Sequence, residues 1–423
     1  MLNWTSRKNT DQPLDFWILY RLNRNNKEMS FMTYEAEQTS MKRFLTFIIC
    51  ACVFNATTVG AVWDDLPVQK DLPDPLCMED GRRVKTVADW KERRKEILAL
   101  ALHYEYGHVP PAPGNVELDK VLAEDVRNER LTRYRQVRLK MGPEQKLTMT
   151  LHIYFPAKLK VPRSAVLRIG LGDEAVRATN ERGYVLACFD NRELDPDTEG
   201  YDVVGPAQKL YPAYDWASIA VWAWGACRAL DYLVTLPEVD AGKVVITGHS
   251  RCGKTALLAG ALDERFALVV PNGAGCGGTS CSRILSDGSE SLGLITEKKR
   301  FYSWFQKDFG QFAGHEDRLP FDQHFLKALI APRPLLTTDA FDDRWANPLG
   351  NQAAFFGAMP VYDFLGVPEN NMMHFRPGNH DQSPSDFKLL LDVAAHYFEN
   401  KARPDNLRVL PYPDYVPKLQ STP

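Results

Sequence analysis

What this chain lacks narrows its function before any motif is read. Its 51 Lys and Arg are matched by 54 Asp and Glu, a formal net charge of -3, so no basic field is available to gather nucleic acid. The apolar run at 44–54 is too short to cross a bilayer as a helix. The eight cysteines show no spacing that builds a zinc site, and nothing in the pattern asks for another metal or an organic cofactor. No internal repeat, low-complexity block or linker interrupts residues 81–423. What remains, 423 residues of which 44% are hydrophobic, suffices to bury a large core in one domain.

Near the start, Met41-Lys42-Arg43, the apolar run and Val59-Gly60-Ala61 follow the charged, apolar, small-residue order of a secretory signal peptide. The sequence therefore predicts a leader at 1–61, made of an upstream extension at 1–40 with no folded role and a signal peptide at 41–61. A single catalytic domain at 62–423 follows, secreted or periplasmic. No lipid-attachment box precedes Cys50, which favours a soluble exported protein over a lipoprotein. Six cysteines lie beyond the leader, at 77, 188, 227, 252, 276 and 281. An oxidising compartment permits disulfides among them, but spacing does not give their connectivity. Cys227 and Cys252 sit in apolar helical patterns and read as small buried hydrophobes.

Residues 89–106 place Trp90, Ile97, Leu98, Ala101 and Leu102 at helical spacing ahead of Gly107. Residues 131–139 and 147–155 alternate as antiparallel strands do. Residues 165–169 and 184–189 are nearly continuous apolar runs, as in a parallel sheet covered on both faces. A rhythm follows: helix 216–236, strand 244–247, helix 254–262, strand 266–270, strand 334–338, helix 352–365, strand 372–375, helix 385–398. The expected class is α/β: a doubly wound, mostly parallel sheet with helices on both faces.

Residues Gly248-His249-Ser250-Arg251-Cys252-Gly253-Lys254-Thr255 fit two functional patterns. As Gly, four residues, then Gly-Lys-Thr they are a phosphate-binding P-loop. As Gly-X-Ser they are the nucleophile elbow of an α/β-hydrolase fold. A P-loop also needs a later strand ending in an acid to hold magnesium, and the strand at 266–270 runs into Pro271-Asn272 instead. The elbow needs an acid and then a histidine on loops after later strands. Asp339, Asp342 and Asp343 follow the strand at 334–338, and His380 follows the strand at 372–375. The residue types suit the task, because a serine hydroxyl becomes a nucleophile when an imidazole takes its proton and a carboxylate fixes that imidazole's tautomer. His249 is expected to point away on the sharp turn, and His324 and His374 to be structural.

The octapeptide resembles the Gly-X-Ser-Arg-X-Gly-Lys signature of glucuronoyl esterases, carbohydrate esterase family fifteen. The similarity extends over residues 85–400 through Trp222-Ala223-Trp224-Gly225, Pro320-Phe321-Asp322-Gln323-His324, Asp343-Arg344-Trp345-Ala346-Asn347-Pro348 and Gly378-Asn379-His380. The resemblance implies a serine esterase, without cofactor or metal, that cleaves the ester between 4-O-methyl-glucuronic acid on xylan and an alcohol of lignin. It implies Ser250 as nucleophile, His380 as base, Arg251 at the oxyanion, and Lys254, Glu290 and Trp345 at the sugar. Many relatives carry the triad acid as a glutamate after the strand following the elbow, where this chain has Gly273. The acid is therefore expected from the later loop, with Asp343 preferred to Asp339 and Asp342 for its spacing before Trp345. Cys252 also departs, standing where the usual elbow has glycine. A glucuronoxylan or lignin-carbohydrate ester is the expected partner, with no nucleic acid, no stable membrane insertion, and a monomeric enzyme. The competing readings are an acetyl xylan esterase, peptidase or other carbohydrate esterase on the same scaffold, a carbohydrate-binding protein with a dead site, and a P-loop protein.

Overall fold

The structure, a computed structural model, describes residues 17–22, 29–34, 63–128, 131–158, 162–172, 175–198 and 204–420. Residues 1–60 and 61–423 form two separate units. Within the first, β1 (Trp17–Leu22) and β2 (Met29–Tyr34) pair antiparallel, Trp17 opposite Tyr34, in a stretch for which the sequence predicted no folded role. The signal peptide expected at 41–61 lies outside the described residues.

The second unit is built on one sheet. Its strands are β3 (Glu117–Arg127), β4 (Thr132–Met141), β5 (Leu147–Pro156), β6 (Arg163–Ile169), β7 (Val185–Phe189), β8 (Val239–His249), β9 (Phe266–Asn272), β10 (Leu335–Ala340) and β11 (Asn371–Arg376). They run in the order β11-β10-β9-β8-β6-β7-β5-β4-β3. From β11 to β7 every pairing is parallel, and β5, β4 and β3 add on antiparallel. The continuous apolar runs of β6 and β7 are buried almost throughout, as strands covered on both faces must be. The alternating β4 hides Tyr134, Val137, Leu139 and Met141. β3 is a strand the sequence reading did not contain. Nearly all of it is exposed, and two register shifts against β4, at Leu118/Lys120 and Val121/Ala123, break the alternation by which a strand is recognised.

The helices are α1 (Val87–Ala101), α2 (Val176–Glu181), α3 (Pro206–Leu210), α4 (Ser218–Leu233), α5 (Arg251–Leu262), α6 (Leu292–Ile295), α7 (Gln323–Ala328), α8 (Pro348–Phe364) and α9 (Pro384–Glu399). Neighbouring residues of β8 show how they flank the sheet. Val244 and Ile246 join a core with Ile97 of α1, Trp222 of α4, Leu257 of α5 and Phe325 of α7. Val245, facing the other way, packs in a cluster with Val176 of α2 and Phe387 and Leu391 of α9. Trp222 is wholly buried, so truncating it to alanine would cost about 3–5 kcal/mol. The first helix ends differently from expectation: after Ala101 the chain makes a π-helical turn, Leu102–Tyr106, that turns Glu105 inward.

Cys227 is buried as expected while Cys252 is half-buried. Among the described residues no helix is long and apolar enough to cross a membrane, and no group of His, Cys, Asp or Glu could hold a metal. A cavity of about 710 Å³ opens beside α1, with Met78, Leu100, His103 and Tyr104 in its wall. It takes in none of Ser250, Asp343 and His380. Those residues lie instead just beyond the C-terminal ends of β8, β10 and β11, the edge at which ligands bind in parallel α/β sheets.

Candidate active site

β8 runs straight into α5 with Ser250 at the junction, at φ 57 and ψ -123. A side chain held at positive φ is strained and persists only where its surroundings enforce it. Here they do. A Cβ on Gly248 would stand 2.3 Å from the Cys252 carbonyl oxygen, and one on Gly253 would stand 2.6 Å from that of Asn272. Both glycines that make the octapeptide look like a P-loop are thus needed by the tight elbow. The Ser250 N–H donates to the Asn272 carbonyl at 2.9 Å, tying the turn to β9. The Arg251 N–H, first in α5, makes no hydrogen bond among the described residues and sits at the helix end whose dipole favours negative charge.

Cys252 occupies the place of the usual glycine because its surroundings allow it. Its Sγ faces the empty side of Gly170, where a Cβ would lie 3.3 Å away, and stands 3.8 Å from Asn191 Oδ1. Burial pushes this thiol up to about 12, so it remains a neutral small group.

Of the three aspartates after β10, one reaches the histidine. His380 Nδ1 donates to Asp343 Oδ2 at 2.6 Å, and Asp343 Oδ1 accepts from the Ala346 N–H at 3.2 Å. The carboxylate is oriented because it caps the 3₁₀ turn Arg344–Ala346. Asp339 is buried, with Oδ2 on Asn351 Nδ2 at 2.5 Å, and burial holds its carboxyl well above the ordinary range. Asp342 is exposed. At Gly273 the backbone has φ 52, and a Cβ would come within 3.5 Å of His380 Cε1. The position opens onto both His249, at 3.2 Å, and His380, yet it carries no side chain. Ser250 makes no side-chain hydrogen bond among the described residues, the looser arrangement usual before substrate arrives.

His249 does not point away. Its ring centroid lies 4.5 Å from that of His380, tilted by 48°. His249 Nδ1 donates to Asn272 Oδ1 at 2.6 Å, and Asn272 is oriented in turn by donating from Nδ2 to the carbonyl and hydroxyl of Thr338. Burial holds His249 below its ordinary range, so a neutral ring packs beside His380. The other histidines are tied into the scaffold: His324 bonds the Pro73 carbonyl at 2.8 Å and His374 that of Asn406 at 3.0 Å.

The remaining candidates divide into two groups. Arg251 is partly exposed, and its Nη1 donates to Asp197 Oδ2 at 2.7 Å. Lys254 is only 2% exposed. Its ammonium spends all three protons inside the protein, on the carbonyls of Ala274 at 2.7 Å and Cys276 at 2.5 Å and on Glu290 Oε2 at 2.8 Å. The run Gly273-Ala274-Gly275-Cys276-Gly277 explains the nest, since its three glycines sit at positive φ and the carbonyls between them converge on one cation. Glu290 is anchored through its N–H to the Trp345 carbonyl at 2.9 Å, and Trp345 is half-buried with the Arg300 guanidinium 5.9 Å from its ring. Three features escaped the sequence reading: Asp197, Trp304, which shares that carboxylate, and Arg376. The last bonds Asp386, Asp381 and Pro377, clasping both ends of the loop that bears His380.

Known proteins resemble this chain in sequence and in fold. A family profile described as glucuronyl esterase of fungi matches residues 140–366. The carbohydrate esterase MZ0003 of an unknown prokaryotic organism is 33% identical over 412 residues, covering 81% of this chain and 93% of that protein. A 4-O-methyl-glucuronoyl methylesterase of Phanerochaete carnosa is 31% identical over 340 residues, covering 77% of this chain and 80% of its own. Among solved structures, a promiscuous family 15 esterase from a marine bacterial metagenome superposes with a TM-score of 0.68 at 31% identity, covering 80% of this chain and all of that one.

Proposed function

The chain belongs to the glucuronoyl esterases of carbohydrate esterase family 15, and on that premise we propose how its own residues hydrolyse an ester of glucuronic acid. It is a serine-type carboxylic ester hydrolase. Ser250 Oγ attacks the ester carbonyl while His380 Nε2 takes the hydroxyl proton. Asp343 keeps the proton of the imidazole on Nδ1 and stabilises the imidazolium that forms. The Arg251 N–H and guanidinium receive the negative charge on the carbonyl oxygen, where preorganised donors contribute most. Collapse of the tetrahedral state expels the alcohol, which leaves with the proton from His380. A water then attacks the glucuronoyl ester of Ser250 with His380 again as base, releasing glucuronate and restoring the serine.

The observation that carries this reading is the 2.6 Å bond from His380 Nδ1 to Asp343 Oδ2, taken with the positive φ of Ser250 at the end of β8. The substrate class follows from the family, whose named relatives include 4-O-methyl-glucuronoyl methylesterases. On this reading Glu290 and Trp345 border the sugar, and Lys254 acts on it by orienting the Glu290 carboxylate. Esters joining 4-O-methyl-glucuronic acid of glucuronoxylan to lignin alcohols are the natural substrates. Export directed by residues 41–61 delivers the enzyme to them, and N-terminal sequencing of protein recovered outside the cytoplasm checks the cleavage after Ala61. The deciding assay compares benzyl glucuronate, its galacturonate epimer and an acetylated xylan. Preferred turnover of the glucuronate ester, abolished in Ser250→Ala, is the expected result. Turnover of the acetylated xylan alone would refute the substrate.

A further inference from the structure

We propose that Asp197, seated between the Arg251 guanidinium and the Trp304 indole, is a positioning residue that presets Arg251 for the oxyanion and counterbalances its charge when the anionic product must leave. The proposal rests on the reading of Arg251 as the oxyanion partner.

The geometry is a clamp with one carboxylate at its centre. Asp197 Oδ2 accepts from Arg251 Nη1 at 2.7 Å and Oδ1 accepts from Trp304 Nε1 at 3.0 Å. The same indole lies under the cation, with Arg251 Cζ 4.7 Å from the Trp304 ring centroid and 5.6 Å from that of Phe301. Phe301 and Trp304 are themselves stacked at 4.0 Å and 9°. Trp304 is 2% exposed and so forms a fixed wall, whereas the Arg251 side chain is 37% exposed and has the freedom to swing. The partners come from segments 54 residues before and 53 after Arg251, so the clamp is a product of the fold and not of the elbow.

Two consequences follow from physical chemistry. A partly exposed arginine has many rotamers, and donors stabilise a transition state only when they are held in place before charge develops. A carboxylate and an aromatic face together remove that freedom. The second consequence concerns charge. The ester substrate is neutral at the reacting carbon, whereas hydrolysis leaves a carboxylate there. An uncompensated guanidinium would bind that product better than the substrate. Asp197 offsets the attraction while leaving the other guanidinium N–H groups available as donors.

The test uses the full chain with Asp197→Asn, Asp197→Glu and Trp304→Phe, assayed on benzyl glucuronate with free glucuronate as inhibitor. Asp197→Asn should lower kcat about ten- to hundredfold with little change in KM, and should tighten glucuronate inhibition about two- to fivefold. Asp197→Glu should recover part of both effects. Trp304→Phe keeps a smaller aromatic face but loses the N–H, and should show a smaller kcat loss. If wild type turns over the ester while Asp197→Asn holds both kcat and the glucuronate inhibition constant, the proposal is overturned. A kcat loss with a lowered melting temperature and unaltered product inhibition would also overturn it, giving Asp197 a purely structural part. Failure of wild type to hydrolyse the ester would instead strike the esterase reading on which the proposal rests.

Discussion

Replacing Lys254 by methionine separates two views of a residue that sequence alone casts as a sugar contact. The methionine keeps the apolar stem, so the change isolates the ammonium. That ammonium makes bonds of 2.7, 2.5 and 2.8 Å to two carbonyls and a carboxylate, and the Lys254 and Glu290 side chains are 3% and 4% exposed. Removing one partner of a buried ion pair strands the other charge, at a cost of about 3–5 kcal/mol. Unfolding entropy of about 2.1 cal/mol/K per residue over a unit of about 360 residues amounts to about 0.8 kcal/mol/K. The melting temperature should therefore fall about 4–7 °C. Adding Glu290→Gln to Lys254→Met should recover much of that loss, because the double variant buries no unpaired charge. Calorimetry on wild type, Lys254→Met and the double variant measures both steps. A lysine whose main task is to reach sugar hydroxyls would instead raise KM and leave the melting temperature alone. A shift below about 1 °C in Lys254→Met would refute the buried-pair argument.

Other substitutions test other parts of the site. Asp343→Asn should lower kcat about 10²- to 10⁴-fold with KM little changed, since the wrong imidazole tautomer is then favoured; retention of full activity would remove Asp343 from the triad. In that background Gly273→Glu should restore part of kcat, because the new side chain starts within 3.5 Å of His380 Cε1, and a double variant no faster than Asp343→Asn would show that the carboxylate cannot act from there. Gly248→Ala should yield protein with no measurable esterase activity, as the added carbon would meet the Cys252 carbonyl oxygen at 2.3 Å. Glu105 is wholly buried, and burial pushes its carboxyl from the ordinary range up to about 8. Because the folded state favours the protonated form, its contribution to stability is complete at acid pH and is lost as pH rises toward and through about 8. Glu105→Gln removes that loss, so wild type should fall behind the variant between pH 5 and pH 9 in thermal melts; parallel pH curves would contradict the buried acid.

The parts of this protein legible in its sequence are those where one physical demand acts on adjacent residues. β6 and β7 are apolar throughout because helices cover both faces, and the runs at 165–169 and 184–189 show it directly. The tight turn at Ser250 and the place of His380 after a late strand are legible because a nucleophile elbow has its own local pattern and a later strand its own apolar run. β3 was hidden since an exposed edge strand with two register shifts keeps no apolar period. His249 was misjudged because the direction of its ring depends on Asn272, 23 residues away, whose own amide is fixed by Thr338. The partners of Lys254 inside the protein were not legible from its own stretch of sequence. The aperiodic loop from Gly273 to Glu290 folds over α5 and supplies all its acceptors, and Asp197 and Trp304 reach Arg251 by a similar route.

On the proposed mechanism, the sheet order bears on why the acid partner of His380 is Asp343 and not a residue at position 273. β9 lies between β8 and β10, and β10 lies between β9 and β11. Thr338 of β10 is opposite both Asn272 of β9 and His374 of β11, so the loop leaving β9 begins two residues short of the level at which β10 and β11 end together, at Ala340 and Arg376. The Gly273 N–H donates to the Thr338 carbonyl at 3.0 Å, which fixes position 273 a short reach from the imidazole. Both loops thus lie near the imidazole, the 3₁₀ turn after β10 holding Asp343 on Nδ1 at 2.6 Å and the turn after β9 placing a Cβ at 273 within 3.5 Å of Cε1. Occupying one place relaxes the demand on the other. Here Asp343 meets it, and position 273, at φ 52, takes the residue that tolerates that backbone best. The side-chain space left open at Gly273 is bordered by His249, whose Cε1 would lie 3.2 Å from any Cβ built there. The neutral ring of His249 and the absent side chain at 273 are thus two halves of one packing solution. A carboxylate restored at 273 must either share that space with His249 or displace it, so Gly273→Glu should help Asp343→Asn more when His249 is trimmed to alanine.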